Sequence, residues 1–439
     1  MRSSVNTTDS LCRRMRDDWN ERARSDAKYY VAFGRRNQDE DEFFATGRDL
    51  ALGLTPQFLR LPPRPAPRCR RALEIGCGLG RLMRPLSAHV GEIHGIDVSD
   101  EMVQGARERL WDFPNAHVHR GGGADLAGFA DESFDFVYSY AVFQHIPSRD
   151  VIFGYMREAC RVLTPGGVFW FQANSTPGIV EAPDTWHGAR ISDREAAAFA
   201  RESGMLLMAV EAPATQYLAV TLQKPCLPAP RPPAPPRIRR IIDARNSGPV
   251  VPASGRWAFA SLWIEGLPAD ADLNTLEATV GHTRATSESL APFLGPPESA
   301  GLLRFNIQLP AGIEPGLQPL QLLYRGQPIA PPPFLRVIPP GPTVPRLVWL
   351  SDAVDQLAGT RIASRSIKAA FEEIPEVSQF RASVDGCEVK VFEVHCVDPV
   401  PPLFEVIFGL PAAIGPGPHR LDLWVGSRGF PAVTIEVSA

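Results

Sequence analysis

Short apolar runs alternate with stretches of helical period between residues 71 and 222. The runs at 71–75, 92–96, 134–139 and 168–172 have the length and the branched and aromatic content of buried strands. The segments 79–88, 101–110, 148–163 and 192–203 read as helices. In 148–163, Ile152, Met156, Ala159 and Leu163 fall on one face at helical spacing. Ser99 or Asp100 is a candidate cap for 101–110. Ser192 with Glu195 three residues on has the capping-box pattern. Strand alternating with helix predicts a parallel α/β sheet. The segments 205–211 and 216–222 read as two further strands.

After residue 238 the helical period largely disappears. Strand-like stretches at 257–264, 302–309 and 317–324 alternate with Pro/Gly turns, the pattern of an all-β sandwich. Leu309-Pro310-Ala311-Gly312-Ile313-Glu314-Pro315-Gly316 matches Leu410-Pro411-Ala412-Ala413-Ile414-Gly415-Pro416-Gly417, and the match runs on so that Leu320 and Leu322 align with Leu421 and Leu423. The sequence therefore predicts two copies of one β-sandwich module. Their strand rhythm and repeated turn resemble immunoglobulin-like modules of the kind that includes IPT/TIG domains. The 44 prolines cluster at 62–67, 225–236 and 331–345. The middle run favours extended polyproline II, a semi-rigid spacer. The expected divisions are an N-terminal helical region at 1–60, an α/β domain at 61–224, a Pro-rich linker at 225–239, and sandwiches at 240–340 and 344–439.

The first strand runs into a glycine-rich turn, Leu73-Glu74-Ile75-Gly76-Cys77-Gly78-Leu79-Gly80, and Asp97 ends the second strand. Such a turn brings backbone N–H groups up to a ligand, and an acid at that strand end can accept from ribose hydroxyls. A dinucleotide fingerprint has a glycine where this chain has Arg81, so a dehydrogenase is disfavoured. The spacing E-x-G-x-G-x-G resembles the first motif of class I S-adenosylmethionine-dependent methyltransferases. Phe129-Ala130-Asp131-Glu132-Ser133-Phe134-Asp135-Phe136-Val137 and Arg161-Val162-Leu163-Thr164-Pro165-Gly166-Gly167 are similar to later motifs of that family. The resemblance covers about one domain. It implies a Rossmann-like methyltransferase fold closed by antiparallel strands at 205–222, with S-adenosyl-L-methionine as cofactor. It assigns cofactor contact to Glu74, Gly76, Cys77, Gly78, Gly80, Asp97, Val98, Met102, Gly123, Ala124 and Tyr140. The acid that commonly holds the adenine amino group is replaced by Gly122, and Asp125 matches a second acid that braces the loop.

The segment after the strand at 134–139 faces the methyl group in that family. Here it holds Tyr140, Gln144 and His145 before Pro147. His145 is either a general base or a brace for the loop. Tyr29 and Tyr30, with Trp19 and Phe44, belong either to an N-terminal lid over the site or to an apolar face packed on the sheet. His187 and Arg190 lie beside Trp186 in a segment where the family places substrate loops; an ordinary surface loop fits equally.

The chain of 439 residues carries a formal net charge of −4, which supports neither a nucleic-acid nor an anionic-membrane partner. No apolar run approaches the roughly 20 residues of a membrane span. Residues 1–18 are polar, so no signal peptide is expected and a cytoplasmic location is. The seven cysteines are scattered, with no zinc spacing. His117 and His119 share a strand face, but nothing near them in sequence completes a metal site, and none is expected. Cys77 is expected as a small residue beside the ligand rather than a nucleophile. The expected activity is methyl transfer to an O or N nucleophile of a small molecule. The alternative is a non-catalytic cofactor-binding or scaffolding protein whose sandwiches bind a protein or carbohydrate partner.

Overall fold

The computed structural model describes residues 2–32, 36–178, 182–226, 235–255, 258–293, 301–341, 344–356, 359–374, 377–399 and 402–438. Residues 227–234, most of the expected linker, and Trp257, the first residue of an expected strand, lie outside them. Contacts divide the chain into two compact units, Met1–Ser25 with Phe44–Gly341, and Asp26–Phe43 with Pro342–Ala439.

In the first unit the elements are α1 (Arg2–Ala32, broken at Asp26), α2 (Glu40–Leu54), β1 (Arg71–Ile75), α3 (Met83–Leu86), β2 (Glu92–Asp97), α4 (Asp100–Arg109), β3 (Ala116–Arg120), β4 (Phe134–Ser139), α5 (Arg149–Val162), β5 (Leu163–Ala173), α6 (Asp193–Ser203), β6 (Leu206–Glu211) and β7 (Leu218–Gln223). Both α1 and α2 continue into the second unit. The sheet order β3-β2-β1-β4-β5-β7-β6 is parallel through β5, with β7 antiparallel to both β5 and β6. This is the expected Rossmann-like sheet with its antiparallel closure. Its strands are buried almost throughout, as helices on both faces require.

The caps form as the sequence predicts. Ser99 accepts from Met102 N, and Ser192 and Glu195 make a complete capping box. Two elements differ. The helix expected at 79–88 is regular only over Met83–Leu86, because Gly80 keeps a left-handed φ of 77° and Pro85 offers no N–H. The turn at Pro165 and Gly166 does not precede the fifth strand but lies inside it.

The sheet does not stop at β6. It continues through strands Thr286–Pro292, Leu303–Gln308, Phe259–Glu265 and Arg237–Asp243 to give eleven strands. The junction is one antiparallel bridge, Ala209 to Ser289. Around it, Asp272 Oδ2 accepts from Leu207 N (2.9 Å), Leu273 N donates to Leu207 O (2.9 Å), and Arg60 donates to Leu290 O. A single apolar core runs from Leu73 and Phe169 to Leu262 and Phe305. The second sheet of this sandwich has the order 283–284, 276–280, 316–324, 334–338, 251–252. The strand Arg237–Asp243 begins inside the segment read as a linker to 239, which corrects that boundary.

The second unit holds its own two-sheet sandwich, with a core of Phe371, Phe408, Leu421 and Leu423 among others. Its sheets, 346–352, 366–372, 402–409, 390–399 and 361–362, 433–437, 417–425, 380–384, 387–388, reproduce the first sandwich strand for strand. The repeat visible in one turn thus extends over the whole module. Gly316 and Gly417, which end the matched turns, both have left-handed φ, 134° and 122°. Among the described residues, the elements before residue 61 are helices and those from Arg237 on are strands apart from one short 3-10 turn at Val377–Gln379, as expected from the loss of helical period.

Candidate active site

The carboxyl ends of β1, β2 and β4 converge on the glycine turn. Gly76, Gly78 and Gly80 have φ of 75°, 50° and 77°, values that side chains rarely adopt. A Cβ on Gly76 would stand 2.4 Å from Val142, so only glycine lets the turn reach the chain after β4. Ala141, just before Val142, is itself held at φ 55°. Backbone strain of that kind gathers at functional sites.

Asp97 fixes the turn from the side. Its Oδ2 accepts from Gly78 N and its Oδ1 from Ser99 N, both at 2.9 Å. Burial pushes its pKa up, and these amides, with that of Val98, oppose the push. Each carboxylate oxygen has a second lone pair, so acceptor capacity remains for ribose hydroxyls. Val98 lies beside Gly123, whose absent Cβ would be 3.0 Å from Val98 Cγ2. Met102 is buried under the same corner. A Cβ on Gly122 would meet nothing within 4 Å, and Asp125 Oδ1 accepts from Ala127 N (3.2 Å) within its own loop.

Below the turn is a buried polar group that the sequence did not reveal. Glu74 accepts from the Tyr138 hydroxyl (2.8 Å), and burial pushes its pKa up to about 8. Arg81 is buried too; it donates to Thr46 of α2 (3.1 Å), stacks its guanidinium 5.7 Å from the Tyr140 ring, and leaves its Nε without a partner. Gly47 of α2 makes this possible, since a Cβ there would collide with the Arg81 carbonyl at 2.4 Å. Cys77 is buried and its thiol is pushed well up by burial, so it is a neutral packing group.

The N-terminal helix crosses the same strand ends. Cys12 lies against Gly123, Asn20 Oδ1 accepts from Ser99 Oγ (2.7 Å) and Glu101 N (3.2 Å), and Trp19 meets His145 edge-on at 5.5 Å. Cys12, Met15 and Trp19 recur at helical spacing, which places one face of α1 on the site. Arg22 lies over both Trp19 (4.8 Å) and Trp186 (5.5 Å) and donates to Thr185 Oγ1 (3.0 Å), which donates to Asp18 (2.7 Å). Two patches more than 160 residues apart in sequence therefore meet at His145.

His145 is held between the two tryptophans. Its Nδ1–H donates to the Trp186 carbonyl (2.7 Å), which leaves the lone pair on Nε2. Burial lowers its pKa to about 4, and the Trp186 bond only partly offsets that. Gln144 has a buried Oε1 with no partner, next to His145. Arg190 donates to the carbonyls of Thr176 and Pro177, and His187 is exposed. Those two side chains thus hold or edge the loop. Tyr29 and Tyr30 pack edge-on at 5.2 Å in the second unit, with Arg36 over the Tyr29 ring at 4.2 Å. The expectation that nothing nearby completes a metal site with His117 meets a cluster: one ligand atom each of Glu92, His94 and His117 lies within 4.8 Å of the others.

A family model described as a methyltransferase domain matches residues 73–171. Phosphoethanolamine N-methyltransferase 2 of Caenorhabditis elegans is 37% identical over 97 residues, 22% of this chain and 22% of that protein. The 24-methylenesterol C-methyltransferase 2 of Oryza sativa subsp. japonica is 32% identical over 159 residues, 30% of this chain and 40% of that protein. Demethylmenaquinone methyltransferase of Staphylococcus haemolyticus is 32% identical over 111 residues, 24% of this chain and 44% of that protein. The match spans less than half the length of each of these relatives. It covers the glycine turn, Asp97, and the strand ends on which α1 and the loop around Trp186 converge. Residues 73–171 are a methyltransferase domain of the class I, Rossmann-like kind, followed in this chain by all-β domains.

Proposed function

We propose that the chain is an S-adenosyl-L-methionine-dependent methyltransferase acting on an O or N nucleophile of a small molecule. One observation carries the cofactor: a carboxylate clamped on a turn of three left-handed glycines, with lone pairs to spare. When bound, the cofactor supplies an electrophilic methyl group. Asp97, Val98, Met102, Gly123 and Ala124 are proposed to hold its nucleoside part, and Glu74, Gly76, Cys77, Gly78, Gly80 and Tyr140 to shape the rest of the cleft.

The acceptor is proposed to enter where Gln144, His145, Trp19, Arg22 and Trp186 frame the strand ends. The buried Gln144 carbonyl asks for a donor, which suits a hydroxyl or an amine. The named relatives include an N- and a C-methyltransferase, so the heteroatom acceptor rests on this chain's polar groups. His145, with a pKa near 4, is a weak base at neutral pH. We assign it to positioning: it ties the loop after β4 to the Trp186 segment. His187 and Arg190 are proposed only as rim residues.

Calorimetry with S-adenosylmethionine tests the cofactor. Saturable binding to the wild type and its loss in Asp97→Ala are expected; no binding to the wild type ends the proposal. Saturable binding with no turnover over a panel of alcohols, phenols and amines would favour the non-catalytic alternative. His145→Asn keeps a donor toward the Trp186 carbonyl. A positioning role predicts that it retains much of kcat where His145→Ala does not, whereas an obligatory base would lose kcat equally in both.

A further inference from the structure

On the face of the sheet edge, well away from the glycine turn, β1, β2 and β3 bring five polar side chains into one cluster. The parallel register sets Arg71 beside Glu92, His94 beside His117, and Ile96 beside His119. Side chains two apart share a face, so Glu92 and His94 point the same way, as do His117 and His119. Glu92 and Asp97 are separated by most of β2, roughly 16 Å at 3.3 Å per residue. The cluster is therefore not part of the methyltransferase cleft.

The hydrogen bonds define the ring states. Arg71 Nη2 lies 3.2 Å from His94 Nε2, and a guanidinium can only donate. His94 Nε2 therefore carries a lone pair, and its Nδ1–H donates to His119 Nε2 (3.0 Å). Glu92 Oε2 stands 3.3 Å from the same His94 Nε2. Two lone-pair atoms thus face each other across a gap spanned by a cation, since Arg71 Nε also donates to Glu92 Oε2 (2.8 Å). His117 completes the set: one donor atom each from Glu92, His94 and His117 lie within 4.8 Å of one another.

The Glu92–His94 separation is that of two donors on one transition-metal ion, and His117 would close on the same ion by a small side-chain movement. Bonds of about 2.0–2.1 Å in tetrahedral geometry put neighbouring donors about 3.3 Å apart. Two imidazoles on one such ion have ring centres about 5 Å apart; those of His94 and His117 are 4.9 Å apart. The His94 Nδ1–H bond to His119 is the kind of outer contact that orients a ligating ring. We infer that Glu92, His94 and His117 form a binding site for a zinc-like divalent cation, with water as fourth ligand, which the ion enters by displacing the Arg71 guanidinium. Two imidazoles and a carboxylate suit zinc above calcium or magnesium. The Arg71 side chain is 41% exposed, so it can swing into water when the ion enters. Bound there, the ion would pin the edge strand β3 to β2.

The test uses the untagged full chain, stripped with chelator and titrated calorimetrically with zinc chloride. One saturable site per chain is expected, with cobalt giving the visible absorption of a tetrahedral site. His117→Ala should weaken binding about tenfold or more, with circular dichroism checking that it folds. Arg71→Gln should bind zinc several-fold more tightly, because the competing cation is gone. A misfolded variant does not gain affinity, so this arm stands by itself. No saturable binding overturns the inference. So does binding that His117→Ala leaves unchanged, or that Arg71→Gln fails to strengthen; in each case the cluster is only a packed polar network.

Discussion

The two sandwich repeats have the same strands in the same order, yet only one has been taken into the methyltransferase domain. In the first, the edge strand Thr286–Pro292 meets β6, and the two cores become one. In the second, the matching strand Lys390–Pro399 ends its four-stranded sheet, with Val391, Phe392 and Val394 exposed. The repeats also differ at an equivalent acid. Asp352 accepts from four amides, those of Val354, Asp355, Ala363 and Ser364, at 2.7–2.9 Å. Asp243, at the same end of its own strand, accepts from the amides of Arg245 and Asn246 and leaves Oδ2 buried without a partner. One fold can therefore be stabilised mainly from outside, by a shared sheet, or mainly from within, by its own turn.

The sharpest way to break this comparison is to remove a core ring from each repeat. Phe305 and Phe408 are both fully buried. Each change to Ala should cost about 3–5 kcal/mol. Hydrogen exchange should show Phe305→Ala weakening β4, β5 and β7 together with the first repeat, and Phe408→Ala weakening only the second. Protection of β5 unchanged in Phe305→Ala would mean that the shared core is not cooperative.

A smaller effect is expected at the paired acids. Asp352→Ala strands several amides and should cost about 3 kcal/mol, whereas Asp243→Ala removes an unsatisfied oxygen with two bonds and should cost about 1 kcal/mol. Urea melts of the two variants compare them directly; equal costs would erase the distinction between the repeats.

Acid should separate the two units further. Burial holds His145 and His94 down to about 4, so both are neutral in the fold and protonate more readily when unfolded. Their contribution is complete above about pH 6.5 and is lost as pH falls toward 4. In the second unit, burial would raise Asp352, but the amides of Ser364, Asp355 and Val354 outweigh it and leave the pKa low. That contribution is complete above the ordinary carboxylate range and is lost only below about pH 4. His419, held up by its bond to Asp385, stabilises below about pH 6.5 and fades above it. Protection factors, corrected for the intrinsic pH dependence of amide exchange and followed from pH 7 to 4, should therefore fall first in the first unit. His145→Gln should remove part of that slope; an unchanged slope would show that His145 is not buried as described.

Much of this was legible because it is local. The glycine turn, the Ser99 cap and the Ser192–Glu195 box are each set by a few neighbouring residues, and each forms. The repeat showed in one turn because Leu320, Leu322, Leu421 and Leu423 must all be buried for either module to close. What the sequence hid depends on register or on packing between distant segments. His94 reaches His117 only because β2 and β3 pair without offset. Arg81 meets Thr46 only because Gly47 lets α2 come close. The approach of Trp19 to His145 joins segments with no shared pattern. The linker end was misplaced because prolines mark where chain direction is stiff, not where a strand starts; Arg237–Asp243 begins directly beyond them.

The bridge between Ala209 and Ser289 also decides what can be exchanged by recombination. A gene segment cut at residue 224 would encode β6 with Leu207 and Ala209, buried in the whole chain, on a bare sheet edge. Such an edge invites pairing with the next molecule. Cutting there would therefore split one core, whereas the second sandwich keeps a core of its own.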